Sequence, residues 1–238
     1  MRRYEQQIPP AKIILPGLDE QLNYFVKNYS LEGTKGLLMG PGLHHASITL
    51  RELGADTETI INDDALLIEE RLNIKSSVKF MDYYTTDFLE NSFDFIYAQA
   101  SVSTVHHTKI LKELFRILKQ GGMLCVGEIV KRDFPTPRSV KDIWNLSNIT
   151  PFLLAELPPL YASIGYEIFQ TIDLTDTMED LYKMQATVLK SEKERLSDDD
   201  RYLMRRNIKS LQHEANMYLR GGAQKHTLYH LFLLKKPL

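Results

Sequence analysis

Residues Val78 to Ile129 constrain this chain more than any other stretch. In order they read VKF, an acidic turn, SFDFIYAQA, an amphipathic segment, a Gly-Gly pair and MLCVGEI. Strands are expected at Val78–Phe80, Phe93–Ala98 and Met123–Glu128, with a helix from Thr108 to Lys119 between the last two. That helix is apolar at Ile110, Leu114, Ile117 and Leu118, which is helical spacing. A strand, a crossover helix and a second strand in so short a run close as a right-handed parallel unit. Strands that are apolar almost throughout belong to a sheet covered on both faces.

The same alternation surrounds this unit. Leu22, Phe25, Val26 and Tyr29 mark a helix over Leu18–Tyr29, behind a Pro-rich opening. The run GLLMGPGLHHASITLRELGAD reads as strand, loop and helix, with Gly54 as the stop. TETIIN is the next strand, and DDALLIEERLN a helix capped by Asp63 or Asp64. After Ile129 the chain turns polar and proline-punctuated, with short helical pieces around Trp144 and Phe152. LPPLYASIGYEIFQTIDL gives a helix, a Gly165 stop and a further strand. Two helices follow within 176–222, the second opened by a weak capping box at Ser197 and Asp200, before a last strand in HTLYHLFLLKK.

Composition narrows the class. The chain has 238 residues, 43% of them hydrophobic, enough for one good-sized core. A net charge of −2 lacks the basic excess of a dedicated nucleic-acid or anionic-membrane binder. Cys125 is the single cysteine, so no intramolecular disulfide forms; within MLCVG it reads as a small buried hydrophobe. No stretch approaches the about 20 apolar residues of a membrane helix. The opening MRRYEQQIPPAK has no apolar run behind its arginines, so no secretory signal is expected. A soluble, cytoplasmic protein is the expectation.

Glycines at a strand-to-helix turn, here Gly40 and Gly42 in MGPG, let backbone N–H groups approach a ligand at a helix N-terminus. The nicotinamide-type pattern G-x-G-x-x-G/A fails at its third position, His45. Asn62, Asp63 and Asp64 stand about twenty residues further on, where they either bind a ribose or cap the next helix. His106 and His107 sit at a helix N-terminus, which keeps an imidazole neutral and able to act as a base; the alternative is a surface or capping role. His44-His45 and His106-His107 are adjacent pairs, not the i, i+4 spacing of metal ligands on one helix face, so no metal site is expected. Neither a P-loop nor a nucleophile elbow is present.

The phrases SFDFIY, ELFRILK and QGGMLCVGE, in register without a gap, resemble the class I S-adenosylmethionine (SAM)-dependent methyltransferase domain of the type 11 kind. The resemblance covers about residues 34–174 and implies an α/β fold. That fold is a Rossmann-like, seven-stranded, mostly parallel sheet with helices on both faces and the last strand antiparallel. Residues 1–33 would form an N-terminal helical segment, and 34–238 the domain, with helical cap insertions at 131–160 and 176–222. The family's acid-x-G-x-G-x-G pattern is degenerate here: Gly40 and Gly42 match, His44 replaces the third glycine, and Leu38 replaces the acid. Asn62 takes the slot of the ribose-binding acid, with Asp63 beside it, and Asp82 takes the slot that accepts the adenine amino group, with Tyr83 to flank the base. Ala98 and Gln99 fall on the methionine side, beyond a strand's carboxyl end.

The implied function is methyl transfer from SAM, with S-adenosylhomocysteine as product, to a small-molecule O, N, S or C nucleophile. His106, His107 and Glu128 are the candidate bases. No amino-methylating Asn/Asp-Pro-Pro-Tyr-like motif follows the fourth strand, so neither nucleic acid nor membrane is expected as partner. Two other classes stay open: a non-catalytic scaffold on this fold, and another SAM- or nucleotide-dependent enzyme on the same sheet. The helices within 176–222 carry Leu181, Met184 and Val188 on one stripe and Met204, Ile208, Leu211, Ala215 and Tyr218 on the other. Those stripes either line an acceptor pocket as a lid, or pack on the core or on a second subunit of a homodimer.

Overall fold

The computed structural model of the chain describes residues 13–63, 78–133, 135–195 and 198–238. The elements run α1 (Leu18–Asn28), β1 (Lys35–Met39), α2 (His44–Glu52), β2 (Asp56–Ile61), β3 (Val78–Phe80), β4 (Phe93–Gln99) and α3 (His107–Ile117). They continue with β5 (Leu118–Lys131), α4 (Arg138–Leu146), β6 (Phe152–Leu153), α5 (Leu157–Ile164), β7 (Glu167–Asp173), α6 (Thr177–Arg195), α7 (Asp198–Leu219) and β8 (Thr227–Lys235). The helix expected from Asp64 to Asn73 and the cap at Ser197 lie outside the described residues, as do the side chains of Met204 and Ile208. Among the described residues no helix is long and apolar enough to cross a membrane.

The strands form one sheet in the order β3-β2-β1-β4-β5-β8-β7. β1 to β5 are parallel, and β8 is antiparallel to both β5 and β7. An eighth strand, β6, stands where a helical piece was expected around Phe152. Its cause is the length of β5, which runs on past the end of β4 and leaves an open edge at Val130 and Lys131. Pro151 favours extended backbone before it, and Phe152 and Leu153 then pair with that edge. β5 also starts earlier than expected: α3 stops at Ile117, and Leu118 already pairs with Phe93.

Two cores sandwich the sheet. On one face α1 and α2 pack through Leu22, Phe25, Ala46 and Leu50 against Leu38, Tyr97, Cys125 and Leu231. On the other, α3 and α5 pack through Leu111, Leu114, Leu157 and Tyr161 against Leu37, Ile96, Val126 and Phe232. Gln21 of α1 crosses the sheet top: its amide N–H₂ donates to the Ala98 carbonyl at 3.1 Å, and its oxygen accepts the Tyr229 hydroxyl at 2.6 Å. A side chain at Gly127 would collide with both Tyr229 and Gln21, so glycine is required there for the helix to approach. The cap helices are spent on the first core. Met178, Leu181 and Tyr182 of α6 and Ala215 and Tyr218 of α7 join Val140 and Trp144 of α4 there, and Tyr182 stacks on Tyr218 at 4.3 Å. Among the described residues this part of the stripe belongs to the core shared by the sheet and α4, while Met184 is exposed.

Asp94 ties three strands at the base of the sheet. Its carboxylate accepts the Lys35 N–H at 2.9 Å and the Lys119 ammonium at 2.8 Å. Burial alone would raise its pKa; the Lys119 and Lys35 hydrogen bonds outweigh that and hold it below the ordinary carboxylate value of 3.8. A depressed folded value adds stability above the unfolded pKa and loses it as pH falls through the folded one. Asp94→Asn is therefore expected to cost about 1 kcal/mol at pH 7, the gap to wild type closing below about pH 4. Urea unfolding across pH checks this; a constant gap would exclude a charge contribution.

Candidate active site at the carboxyl edge of the sheet

The parallel strands end in a row of backbone turns. After β1, Gly40 and Gly42 take positive φ of 121° and 78°, values side chains rarely adopt. A Cβ on Gly40 would meet Ser101 at 3.0 Å, and one on Gly42 would meet Ile13 at 2.8 Å. Asn62 and Asp63 stand exposed directly after β2, and Asp82 stands exposed after β3. The sequence motifs thus fall on three neighbouring strand ends, where ligands of open α/β sheets sit. The exposed carboxylates at the ends of β2 and β3 are groups that could accept hydrogen bonds from the adenosyl half of SAM.

The methionine half is built differently. Leu38, in the acid's slot, is fully buried among α1 and α2. Ala98 has no exposed surface, and its carbonyl is taken by Gln21. Gln99 is 6% exposed; its N–H₂ donates to the carbonyls of Pro16 at 2.8 Å and Leu18 at 3.0 Å, while its oxygen accepts the Tyr97 hydroxyl. Ala98 is thus engaged by α1, and Gln99 by the segment that leads into it. That segment, Ile13 to Gly17, crosses the glycine turn as a strap, with Ile13 and Leu15 over Gly42 and the Gly17 N–H bonded to Thr177 of α6. Tyr83 is 4% exposed and belongs to the apolar cluster that holds Met39, Ala98 and Val102, while its neighbour Tyr84 takes the surface, its ring 4.6 Å from that of His106 and tilted by 48°.

The three base candidates separate. His106 is exposed beside Tyr84. His107 and Glu128, on α3 and β5, come together through a hydrogen bond between Nε2 and Oε1 at 2.6 Å, and each is 1% exposed. Tyr161 of α5 donates to the same oxygen at 3.1 Å, and Ser103 donates to the other at 2.6 Å. Burial and the Glu128 carboxylate push the Tyr161 pKa well up, so it stays a donor. Ser103 Oγ also accepts the Ile129 N–H at 3.0 Å. The pair is thus sealed away from solvent, and its outlet to the edge of the sheet is Ser103, in the loop that follows β4. That loop opens at Ala100 with a positive φ of 54°, and Ser101 ties it to the Met39 carbonyl at 2.8 Å. Sequence reasoning missed Ser101, Ser103 and Tyr161: serines and tyrosines at loop and helix positions carry no pattern until the fold assembles them. Burial pushes the Cys125 thiol up, as suits a core residue. Among the described residues no group of metal-ligating side chains gathers.

Residues 37–126 match the family model described as "Methyltransferase domain". The chain superposes on a putative sarcosine dimethylglycine methyltransferase from Galdieria sulphuraria with a TM-score of 0.72, at 22% identity, covering 92% of this chain and 85% of that one. It superposes on phosphoethanolamine N-methyltransferase 2 of Haemonchus contortus, in complex with phosphomonomethylethanolamine and S-adenosylhomocysteine, with a TM-score of 0.77. There identity is 16%, and the match covers 96% of this chain and 55% of that one, so this chain spans about half of it. A geranyl diphosphate methyltransferase in complex with GPP and sinefungin follows at a TM-score of 0.68 and 14% identity, covering 92% of this chain and 77% of that one. No curated protein matches. Residues 37–126 are thus similar to a methyltransferase domain, and the chain shares the fold of these structures.

Gln99 holds the strap by two hydrogen bonds and satisfies a buried tyrosine. Gln99→Ala should cost about 2–4 kcal/mol, two bonds plus an orphaned hydroxyl, and should free the strap. Hydrogen exchange at the Gly17 and Leu18 amides reads this out. Unchanged exchange there would show that the strap is held by its apolar contacts instead.

Proposed function

We propose that this chain transfers the methyl group of SAM to a small-molecule nucleophile. The observation that carries it is the placement of Gly40 and Gly42, Asn62 with Asp63, and Asp82 on consecutive strand ends, with Asn62, Asp63 and Asp82 exposed there. When bound, SAM supplies a methyl carbon on a positively charged sulfur, which keeps the electron pair of the broken bond and leaves as S-adenosylhomocysteine. The Asp82 carboxylate would accept the adenine amino group, and Asn62 or Asp63 the ribose hydroxyls. In-line placement of the acceptor supplies most of such a rate, with a base needed only if the acceptor must lose a proton.

Within this reading His107 and Glu128 are positioning residues. Sealed from solvent, they fix Ser103 and so the loop after β4. His106, on the surface, is the candidate base. A small acceptor is favoured by the net charge of −2, since nucleic-acid affinity rests on clustered cations that neutralise phosphates. The names of the structural neighbours also carry small molecules, among them phosphomonomethylethanolamine and geranyl diphosphate.

Calorimetry with S-adenosylhomocysteine tests the cofactor side. Asp82→Ala should weaken binding by about 1.5–3 kcal/mol, the worth of a charge-assisted hydrogen bond, while Asp94→Ala lowers stability and keeps the affinity. The reverse pattern would overturn the assignment of Asp82. Turnover is tested by following S-adenosylhomocysteine release from SAM across panels of small amines, carboxylates, phenols and thiols. Release with at least one class is expected. Tight cofactor binding with no release across all of them would favour the non-catalytic scaffold.

A further inference from the structure

A groove of about 640 Å³ opens on the α5 face of the sheet, between β5, β8 and β7 and the start of α5. It lies three strands from the glycine turn, about 14 Å at usual strand spacing. Its floor is Leu228, His230 and Phe232, alternate residues of β8 that share one face. Leu153 and Leu154 form a wall, and Lys131, Arg132 and Asp133 stand at the rim where β5 ends.

His230 is the feature that asks for a ligand. It is 7% exposed, and among the described residues neither ring nitrogen has a hydrogen-bond partner. Asp173 Oδ1 lies 3.6 Å from Nε2, within ion-pair reach but beyond a hydrogen bond. Burial lowers the His230 pKa; Asp173 opposes this and Arg132 adds to it, so the ring stays neutral at neutral pH. A buried imidazole without partners is costly in an apolar wall. The groove's volume is that of a small-molecule site, apolar with a few polar groups. In its lining two cations, Lys131 and Arg132, face one carboxylate, Asp133, and among the described residues neither cation is ion-paired.

We propose that this groove binds an amphipathic organic anion: an apolar chain against Leu154, Leu228 and Phe232, a carboxylate or phosphate at Lys131 and Arg132, and a hydrogen bond to His230. The site is separate from the cofactor site and stands whether or not the chain transfers methyl groups.

The test is calorimetry on the full chain with decanoate and decyl phosphate as probes, and decyltrimethylammonium as the cationic control. Both anions should bind, the cation about tenfold more weakly or not at all, and the stronger anion identifies the head group. Arg132 is exposed, so Arg132→Glu leaves packing intact and should weaken the anions about tenfold, one charge-assisted contact. Leu154→Trp should narrow the groove and weaken binding, with circular dichroism confirming the fold. The His230 ring signals, assigned by His230→Gln, should shift on titration. Saturating S-adenosylhomocysteine should leave the anion affinity unchanged. No binding, equal binding of the cation, insensitivity to Arg132→Glu, or displacement by S-adenosylhomocysteine would each overturn the proposal.

Discussion

A carboxylate in the middle of this protein has to be satisfied, and much of the active edge follows from how that is done. Glu128 lies on the central strand β5 with 1% of its surface exposed. An isolated charge there would be prohibitive, and losing one partner of a buried pair typically costs about 3–5 kcal/mol. His107, Tyr161 and Ser103 meet the demand from three different elements: α3, α5 and the loop after β4. The loop is thereby fixed by the interior, not by its own turn chemistry, and Ser101 passes that constraint on to the glycine turn.

The division of labour across the site follows the sheet. On β1 to β3 the strand ends carry turns and exposed carboxylates, at the edge where open α/β sheets place ligands. On β4 and β5 the equivalent positions are consumed internally, by Gln21, by the strap and by the Glu128 network. Leu38, where the methyltransferase pattern has an acid, fits this arrangement, because that position belongs to the α1 and α2 core and a charge there would lack a partner.

Most of the architecture was legible in the sequence because period and punctuation repeat along it. The alternation of apolar strands with helices located β1 to β5, β7 and β8, and Gly165 ended α5 as a left-handed cap. Boundaries moved where a tertiary contact decided them: Lys119 leaves the helix for Asp94, and β6 exists only because β5 overruns its neighbour. The glycine turn and Asp82 are local to strand ends, so counting residues is enough to place them there. Tyr83 and Tyr84 differ by one position, and no local signal says which one turns inward. The strap, the Ser103 link and the packed cap helices join residues far apart in the chain, and spacing carries no record of such meetings.

The contact between Gln21 and Tyr229 has one more consequence. The two residues are 208 positions apart, and Gly17 reaches Thr177 across 160. A chain made from one end to the other has α1 and the strap at hand long before the strand and helix that receive them exist. Closing such long loops is entropically expensive and slow, so these contacts form late. During synthesis the glycine turn is thus complete well before it is covered. The first helix of the domain waits for its last strand.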